Sequence, residues 1–141
     1  MKVRFVAGVA PIVPDLASAR SFYVDALGIP LSDHDYPATF DFEGVKHFGL
    51  WRLEDAAQAC FGQPGWPNEV PPPQASIEFE VDDVAAAAAE LEGKGYRLLH
   101  GARTEPWGQT VARLIGPEGL LVGLSYAPWY HEAEPGAVTE S

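Results

Sequence analysis

Apolar and polar residues follow the same order in two stretches of the chain, residues 5–31 and residues 73–98. In each stretch a strand-like run comes first, and in the second stretch apolar Ile77, Phe79 and Val81 alternate with polar neighbours, as in a strand with one buried face. An aspartate follows, and then apolar residues at helical spacing. Aligning Asp15 with Asp83 superimposes the two stretches, which lie 68 positions apart. The repeat predicts two copies of one supersecondary unit, and a site is expected where the copies face each other.

The two predicted helices have recognisable ends. Asp15 and Asp83 can each accept hydrogen bonds from the free amides of a first helical turn. Gly28 after the first helix, and Gly93 with Gly95 after the second, are typical C-terminal stops. Each helix carries one apolar face that should pack on a sheet. The residues of these two faces are Leu16, Ala19, Tyr23 and Leu27, and Val84, Ala87, Ala88 and Leu91.

Three further strand-like runs follow each helix. Tight turns at Glu43-Gly44 and at Pro117-Glu118-Gly119 join the last two runs of each copy. Each copy is therefore predicted to be a strand, a helix and three strands, which makes the fold class α+β. The predicted strands are Ile29–Asp33, Thr39–Phe42 and Lys46–Trp51 in the first copy, and Tyr96–His100, Thr110–Ile115 and Leu120–Tyr126 in the second.

The length is that of a single domain, residues 1–141, which can bury a core without help from a metal or a disulfide. A connector between the copies holds five of the thirteen prolines and is expected to contain one helical turn near Ala56–Cys60. We therefore divide the domain into module one (3–53), a linker (54–74), module two (75–127) and a loose tail (128–141).

Charge and cysteine content exclude some classes of function. The formal net charge of −11 argues against nucleic acid as a partner, because an acidic surface repels phosphates. The single cysteine, Cys60, cannot form an internal disulfide, which fits a reducing compartment such as the cytoplasm. No segment approaches the roughly 18 apolar residues of a membrane helix. We expect a cytoplasmic protein that binds neither membrane nor nucleic acid.

The repeated organisation resembles the glyoxalase/bleomycin-resistance/dioxygenase family, also called the vicinal oxygen chelate superfamily. The resemblance covers nearly all of residues 3–127, and the motif at 105–124 is its most specific part. It implies two βαβββ modules whose mixed sheets curl around a groove, and a homodimer. The residues that carry it are PDLASARSFYVDALGIPL at 14–31, EVDDVAAAAAEL at 80–91 and EPWGQTVARLIGPEGLLVGL at 105–124.

The resemblance also implies where metal-dependent members place their ligands, mostly His and Glu. These are inward-facing positions on the first and last strand of each module, and here they hold Gly8, Gly49, Ser76 and Gly123. None of the four can supply an imidazole or a carboxylate to a divalent metal. We therefore predict a lost metal site, no cofactor, and room for a ligand. A plainer interpretation is that glycine is tolerated where another backbone packs closely.

Strand alternation assigns side chains to the two faces of the predicted sheet, because residues two apart share a face. The set that faces the helices is wholly apolar, whereas the set that faces the groove is mixed, as in a pocket with a few polar anchors. The groove set is Ala10, His47, Trp51, Glu78, Leu121 and Ser125, and the helix set is Phe48, Leu50, Ile77, Phe79, Val122 and Leu124.

Three polar residues are candidates for binding a ligand. His47 can act as base, acid or ligand near neutral pH, with His34 as a possible neighbour, or it can be an ordinary hydrogen-bonded histidine. Glu78, with Glu80 on the same face, can attract a cation or act as a base if burial raises its pKa, or it can be a solvated strand edge. Arg113 can bind a carboxylate or phosphate as a fork, answer Glu78 across the groove, or form a structural ion pair.

Tryptophans are the aromatic candidates for the groove walls. Trp107 lies in the turn Glu105-Pro106-Trp107-Gly108, which the resemblance places near the groove mouth, where an indole offers a stacking face. Trp51 faces the groove by register, and Trp66 and Trp129 could add further walls. Core packing or a dimer contact is the competing interpretation for all of them.

The leading prediction is a metal-independent small-molecule binding protein of the bleomycin-resistance type. It would sequester an aromatic or cationic ligand in the groove, using His47, Trp51, Glu78, Trp107 and Arg113. The alternative is a vicinal oxygen chelate enzyme (lyase, isomerase or dioxygenase) with a non-standard metal site or metal-free acid–base catalysis. A third possibility is a non-catalytic interaction module that uses the fold only to dimerise. The sequence leaves open whether any reaction is catalysed.

Overall fold

The computed structural model describes residues 1–131, which form one curled, mixed sheet of eight strands with three α-helices. None of the helices in this part of the chain is long and apolar enough to cross a membrane. The elements are β1 (Phe5–Val13), α1 (Leu16–Arg20, continued by a π-helical turn Ser21–Ala26), β2 (Ala38–Thr39), β3 (Phe48–Gly49), β4 (Trp51–Arg52), α2 (Leu53–Phe61), β5 (Ala75–Glu80), α3 (Val84–Gly93), β6 (His100–Thr104), β7 (Thr110–Ile115), β8 (Leu121–Tyr126) and a 3-10 turn (Pro128–Tyr130).

The strand order is β2-β3-β1-β5-β8-β7-β6, and β4 also pairs with β1. The first strand of each module lies parallel to the last, β1 beside β3 and β4, and β5 beside β8. Such parallel pairs need a crossover connection, which α1 and α3 supply. The two modules meet where β1 runs antiparallel to β5. The predicted α+β fold of two βαβββ modules is confirmed, and the junction lies at the centre of the sheet.

Helices α1 and α3 pack on the same, outer face of the sheet. Asp15 accepts a hydrogen bond from the amide of Ala17, and Asp83 accepts one from the amide of Ala86, so both predicted caps form. Burying apolar side chains between helix and sheet is worth about 25 cal/mol per Å². The buried contacts join Ala19 to Val13 and Leu50 in module one, and Val84, Ala87 and Ala88 to Ala112 and Leu124 in module two.

The linker contains a longer helix than the sequence predicted. Helix α2 spans nine residues, with acidic residues in its first turn, which favour a helix start, and Gly62 at φ 75° as its C-cap. Its buried residues Ala56 and Cys60 pack on Ile12 and Leu121. Leu121 shares a face with Gly123 and not with Leu124, which contacts α3. Helix α2 therefore covers one end of the concave face.

The strand predictions for module one were largely wrong. Residues 29–33 form no strand, the predicted Thr39–Phe42 strand is reduced to β2, and Lys46–Trp51 is split into β3 and β4. Pro30 has no amide to donate to a ladder. The amide of Ala38 bonds to the Ser32 hydroxyl, and the amide of Ser32 bonds to the Ala38 carbonyl, so this segment turns back on itself. The chain between α1 and β3 is therefore mostly irregular.

Module two agrees better with the sequence. Strand β7 has the predicted bounds, and β8 begins one residue later than predicted. The predicted strand Tyr96–His100 is displaced to β6, His100–Thr104. The reason is that the Tyr96 amide bonds to the carbonyl of Leu91 at the end of α3. That amide is therefore engaged with the helix end, and the ladder starts further along the chain.

The first residues of the predicted tail are ordered, which corrects the expectation of a loose segment from residue 128. The ring of Tyr130 packs edge-on against Phe5 at 5.8 Å, and its hydroxyl donates to the carbonyl of Ala7 at 3.4 Å. His131 stacks on Tyr126 with the ring centroids 4.2 Å apart. The rest of the predicted tail, residues 132–141, lies outside the described residues.

Candidate functional site

A row of residues crosses the concave face at the junction of the modules. The ladders pair Gly8 with Glu78, Glu78 with Gly123, Gly123 with Arg113, and Arg113 with His100. Paired residues lie on the same face of a sheet, so these five positions form one line across four strand boundaries. The line contains two of the positions at which the resemblance places metal ligands, Gly8 and Gly123.

The Glu78 side chain lies in the space that these two glycines leave. A Cβ at Gly123 would lie 3.1 Å from Glu78 Cγ and 3.3 Å from a Val111 methyl group. A Cβ at Gly8 would lie 3.6 Å from both Glu78 Oε1 and His47 Nδ1. The carboxylate and the imidazole therefore approach the same point above β1, where the two modules meet.

Gly49 makes room for a tyrosine in the same way. A Cβ at Gly49 would lie only 2.8 Å from Tyr36 Oη, so the phenol sits directly over this backbone. The Tyr36 ring stacks on His47 at 5.7 Å, and the Phe40 ring meets His47 at 4.7 Å. Tyr36, Phe40 and His47 form an aromatic cluster beside Glu78. The sequence did not single out Tyr36 or Phe40, because irregular loops carry no periodic signal that assigns a face.

The metal site of the resemblance does not fit these residues. Gly8, Gly49 and Gly123 offer no donor, and Ser76 offers one buried hydroxyl. Among residues 1–131, no three His, Cys, Asp or Glu side chains are grouped so that they could hold a metal ion. A catalytic zinc site needs three protein ligands and one open position. Glu78 and His47 supply two donors near the junction.

The environment of Glu78 favours its neutral form. Burial raises the pKa of this carboxyl, and the nearby carboxylates of Glu80 and Glu105 raise it further. The positive charge of Arg113 and a hydrogen bond from Gln109 act in the opposite direction. A carboxyl with a raised pKa can bind a cation tightly or exchange a proton with a bound molecule.

Gln109 connects Glu78 to the turn that carries Trp107. Its Nε2 donates to Glu78 Oε1 and to Ser125 Oγ, each at 2.9 Å. Its Oε1 accepts a hydrogen bond from Trp107 Nε1 at 2.8 Å. The sequence analysis did not single out Gln109, although strand alternation places it on the same face as Val111 and Arg113.

His47 is half-buried, and burial lowers the pKa of its imidazole. The ring is therefore neutral near pH 7 and presents one donor and one acceptor nitrogen. His34, the other histidine considered for this site, lies in the exposed loop after α1, where its carbonyl accepts a hydrogen bond from Arg20. A neutral imidazole beside a carboxyl can accept or return a proton.

Arg113 pairs with Glu105 rather than Glu78. Its Nη1 lies 2.7 Å from Glu105 Oε2, and both side chains are buried. The guanidinium also stacks over the Trp51 ring, 5.5 Å from its centroid, and donates to His100 Nε2 at 3.2 Å. Burial lowers the pKa of His100, so its neutral ring can accept this bond. Trp51 and Arg113 thus belong to one network next to Glu78, with partners already in place.

The other tryptophans lie in three different settings. Trp107 is 54% exposed in the turn between β6 and β7. Trp66 packs edge-on against Phe61 and donates to the carbonyl of Val70, so it belongs to the core under α2. Trp129 is partly exposed beside Tyr130. Of these three, Trp107 is the one that is hydrogen-bonded to a partner of Glu78.

Glu80 is a second acid on the concave face, and it is fully buried. Its Oε2 accepts hydrogen bonds from the amide of Ala127 at 2.6 Å and from His131 Nε2 at 2.9 Å. Its Oε1 has no hydrogen-bond partner among the described residues. The two hydrogen bonds to Oε2 connect the C-terminal turn to β5. The prediction of a loose tail did not anticipate this contact.

Comparisons with solved structures find the same fold. Methylmalonyl-CoA epimerase from Mycobacterium tuberculosis has a TM-score of 0.56 and 19% identity, covering 93% of this chain and 93% of that one. The Streptomyces coelicolor methylmalonyl-CoA epimerase, in complex with 2-nitronate-propionyl-CoA, has a TM-score of 0.53 and 20% identity, covering 88% and 97%. A glyoxalase/bleomycin resistance protein/dioxygenase superfamily member from Vibrio splendidus has a TM-score of 0.53 and 16% identity, covering 88% and 98%. At such low identity the likeness shows the fold alone.

A search of curated proteins found no match. The family model of the Glyoxalase/Bleomycin resistance protein/Dioxygenase superfamily matches residues 7–124, which span both modules and the row of residues around Glu78. The chain belongs to the glyoxalase/bleomycin resistance protein/dioxygenase superfamily.

Proposed function

We propose that the concave face binds a small cationic or aromatic molecule without a metal ion, and that the protein acts by sequestering it. The observation that carries this proposal is the position of Glu78. Its carboxyl lies at the junction of the two modules, in the space left by Gly8 and Gly123, beside the aromatic cluster of Tyr36, Phe40 and His47. A homodimer in the cytoplasm remains part of the proposal.

Electrostatics support a cationic ligand. Glu78 is half-buried, and the resulting loss of solvation makes its ionised form more costly and raises its pKa. A ligand cation would offset that cost, because its positive charge would stabilise the ionised carboxylate. Aromatic rings nearby attract the same cation through their faces, by about 0.5–2 kcal/mol each. Arg113 lowers the pKa of Glu78 through its charge, but its ion pair is with Glu105, so it occupies no hydrogen-bonding position on the Glu78 carboxylate.

A second candidate is a metal-free acid–base enzyme, and one observation favours it. The raised pKa of Glu78 moves that carboxyl toward the neutral range in which proton transfer is efficient, and the lowered pKa of His47 keeps its imidazole neutral near pH 7. The neutral imidazole of His47 would then take a proton from a bound substrate, and Glu78 in its protonated form would return one. Two of the structures with this fold are named as epimerases, which brings such a reaction into consideration for this chain.

Thermal unfolding of chelator-treated protein tests the proposal. One panel pairs cationic aromatic compounds with neutral analogues, for example benzyltrimethylammonium with benzyl alcohol, and a second panel contains divalent metals. A ligand at a hundredfold excess over its dissociation constant stabilises the folded state by about 2.7 kcal/mol. We expect cationic compounds to raise the midpoint and Glu78→Gln to abolish the rise, whereas Glu118→Gln, which removes the same charge from an exposed turn, should leave it unchanged. A specific metal shift that His47→Ala abolishes would contradict the proposal.

A further inference from the structure

We propose that Trp107 and Gln109 are positioning residues that fix which oxygen of Glu78 faces a bound molecule, and that they couple contact at the Trp107 indole to that carboxyl. The starting observation is a continuous path of hydrogen bonds from Trp107 Nε1 through the Gln109 amide to Glu78 Oε1. The path joins an exposed ring to a side chain at the centre of the concave face.

The indole N–H fixes the orientation of the Gln109 amide. An indole nitrogen is a donor only, so the amide atom that faces it has to be the oxygen, Oε1. The nitrogen, Nε2, is then turned toward Glu78 Oε1 and Ser125 Oγ, and both of its hydrogens are used. Gln109 is 5% exposed, so water is largely excluded as a substitute partner. Without the Trp107 donor, the Gln109 amide could flip, so that its oxygen and its nitrogen exchange positions.

The orientation of Gln109 distinguishes the two oxygens of Glu78. Oε1 accepts the amide hydrogen, whereas Oε2 makes no hydrogen bond within residues 1–131. The space left by the glycines reaches both oxygens, since Oε2 lies 3.7 Å from the point that a Cβ at Gly123 would occupy and Oε1 lies 3.6 Å from the corresponding point at Gly8, so the free hydrogen-bonding capacity of Oε2 is what distinguishes it. Oε2 is therefore the oxygen that meets a ligand cation, or that carries the proton when Glu78 is neutral.

Other charged and titratable groups face Glu78 from every neighbouring element, and they do not replace this path. Arg113 and Glu105 are paired with each other, and Glu80 is bonded to the C-terminal turn. His47 and the phenols of Tyr36 and Tyr130 face it from module one and the C-terminal turn. None of these groups forms a hydrogen bond with Glu78 in the part of the chain that the structure describes. Gln109 is the residue that holds the carboxyl by direct contact.

The Trp107 ring is placed to sense a ligand. It is more than half exposed, while its N–H is bonded inward, so a ring face is available for stacking. A molecule that shifts the indole would lengthen or shorten the bond to Gln109 and so change the donor on Glu78. This role deepens the proposed function. It depends on that function only for the bound molecule, because the hydrogen-bond path exists in the ligand-free protein.

Heteronuclear NMR of the isotope-labelled, ligand-free protein tests the path directly. The chain has four tryptophans, and Trp107→Phe assigns the Trp107 indole signal. We expect Glu78→Gln to shift that signal and to leave the Trp66 indole, which is bonded to the Val70 carbonyl, unchanged. In a Gln109→Met background we expect faster solvent exchange of the Trp107 indole and no further shift on adding Glu78→Gln. The inference is wrong if Glu78→Gln leaves the Trp107 signal in place, or shifts it equally with and without Gln109.

Trp107→Phe is a second variant that can be used if Gln109→Met does not fold. We expect it to fold because Trp107 is at the surface and phenylalanine keeps an aromatic ring there while it removes the indole N–H. Removing the indole donor should free the Gln109 amide, so we expect its two hydrogens to exchange with solvent faster than in the wild-type protein. Unchanged exchange would overturn the inference.

A separate titration with benzyltrimethylammonium tests the ligand. If the compound binds, Trp107→Phe should weaken its binding severalfold. If it does not bind, the proposed function loses support, and the NMR result alone decides whether the hydrogen-bond path exists.

Discussion

The Glu78 side chain of β5 lies against the backbone of Gly123 on the neighbouring strand β8, with its Cγ 3.1 Å from the point that a Cβ there would occupy. The relationship accounts for glycine at a position where the resemblance would place a metal donor. A side chain at 123 and the carboxyl of Glu78 would compete for the same space. The acid is carried by the neighbouring strand, and its side chain fills the space beside this glycine.

Gly123→Ala should therefore destabilise the fold and displace Glu78. Forcing extra volume into a packed site costs about 1–3 kcal/mol. The matched control is Gly101→Ala on β6, where an added Cβ meets nothing within 4 Å. Chemical denaturation of both variants measures the difference. Equal stability of the two variants would show that the Glu78 side chain does not depend on Gly123.

Glu78→Gln should stabilise the protein at neutral and higher pH. Because the pKa of Glu78 in the folded state is raised above its ordinary 4.5, the folded state holds that proton more tightly than the unfolded chain. The contribution of Glu78 to the stability of the wild-type protein is therefore greatest below pH 4.5. It is lost as the pH rises through the pKa of the folded state. The amide variant has no such loss.

Free energies of unfolding at several pH values check this prediction. The gain from Glu78→Gln should grow with pH, and Glu118→Gln controls for the loss of one negative charge. A Glu78→Gln variant that is less stable than wild type near pH 8 would mean that ionised Glu78 is well solvated or already paired.

Acid should weaken the fold through two histidines. Burial lowers the pKa of both His47 and His100 below the ordinary 6.5, so the unfolded chain binds protons before the folded state does. Their contribution is complete above 6.5 and is lost as the pH falls through the folded pKa values. Measured in a Glu78→Gln background, which removes the opposing titration, stability should fall below 6.5, and less steeply after His47→Gln. A flat profile would indicate that the imidazoles are not shielded from water.

Arg113→Met should be strongly destabilising. The substitution leaves Glu105, which is 8% exposed, without its closest cation and removes the donor to His100. Breaking a buried ion pair on one side costs about 3–5 kcal/mol. Adding Glu105→Gln should recover part of the loss, since no buried charge then lacks its partner. The exposed pair of Lys94 and Glu90 is the comparison: Lys94→Met should cost less than about 1 kcal/mol.

The repeat, the helix caps and the strand alternation were enough to predict the two modules and the face of the sheet that packs on their helices. Alternation works for β5, β7 and β8 because these strands are five or more residues long and have one face on a helix. It failed between residues 28 and 47, where Pro30 and Ser32 replace ladder bonds with local ones. The short length of β2, β3 and β4 left too few residues for a period to show.

The candidate site was predictable only in part, for physical reasons. His47 and Glu78 followed from strand position, and the structure places both at the module junction. The partner of Arg113 could not be known, because Glu78 and Glu105 are both within reach of a long side chain and geometry decides between them. The position of Tyr36 depends on the path of a loop, which local periodicity does not encode. Alternation gives the face of Gln109, but not its bonds to Trp107 and Glu78. Helix α2 was underestimated because prolines flank it on one side.

The measurement that tests the central claim most directly is a crystal structure of chelator-treated protein grown with the cationic compound that gives the largest thermal shift. The account predicts density for the compound on the concave face, with its cation next to Glu78 Oε2 and a ring or methyl group against His47 or Tyr36, and no metal ion between them. A metal ion held by His47 and Glu78, or a compound bound on the outer face beside α3, would contradict it.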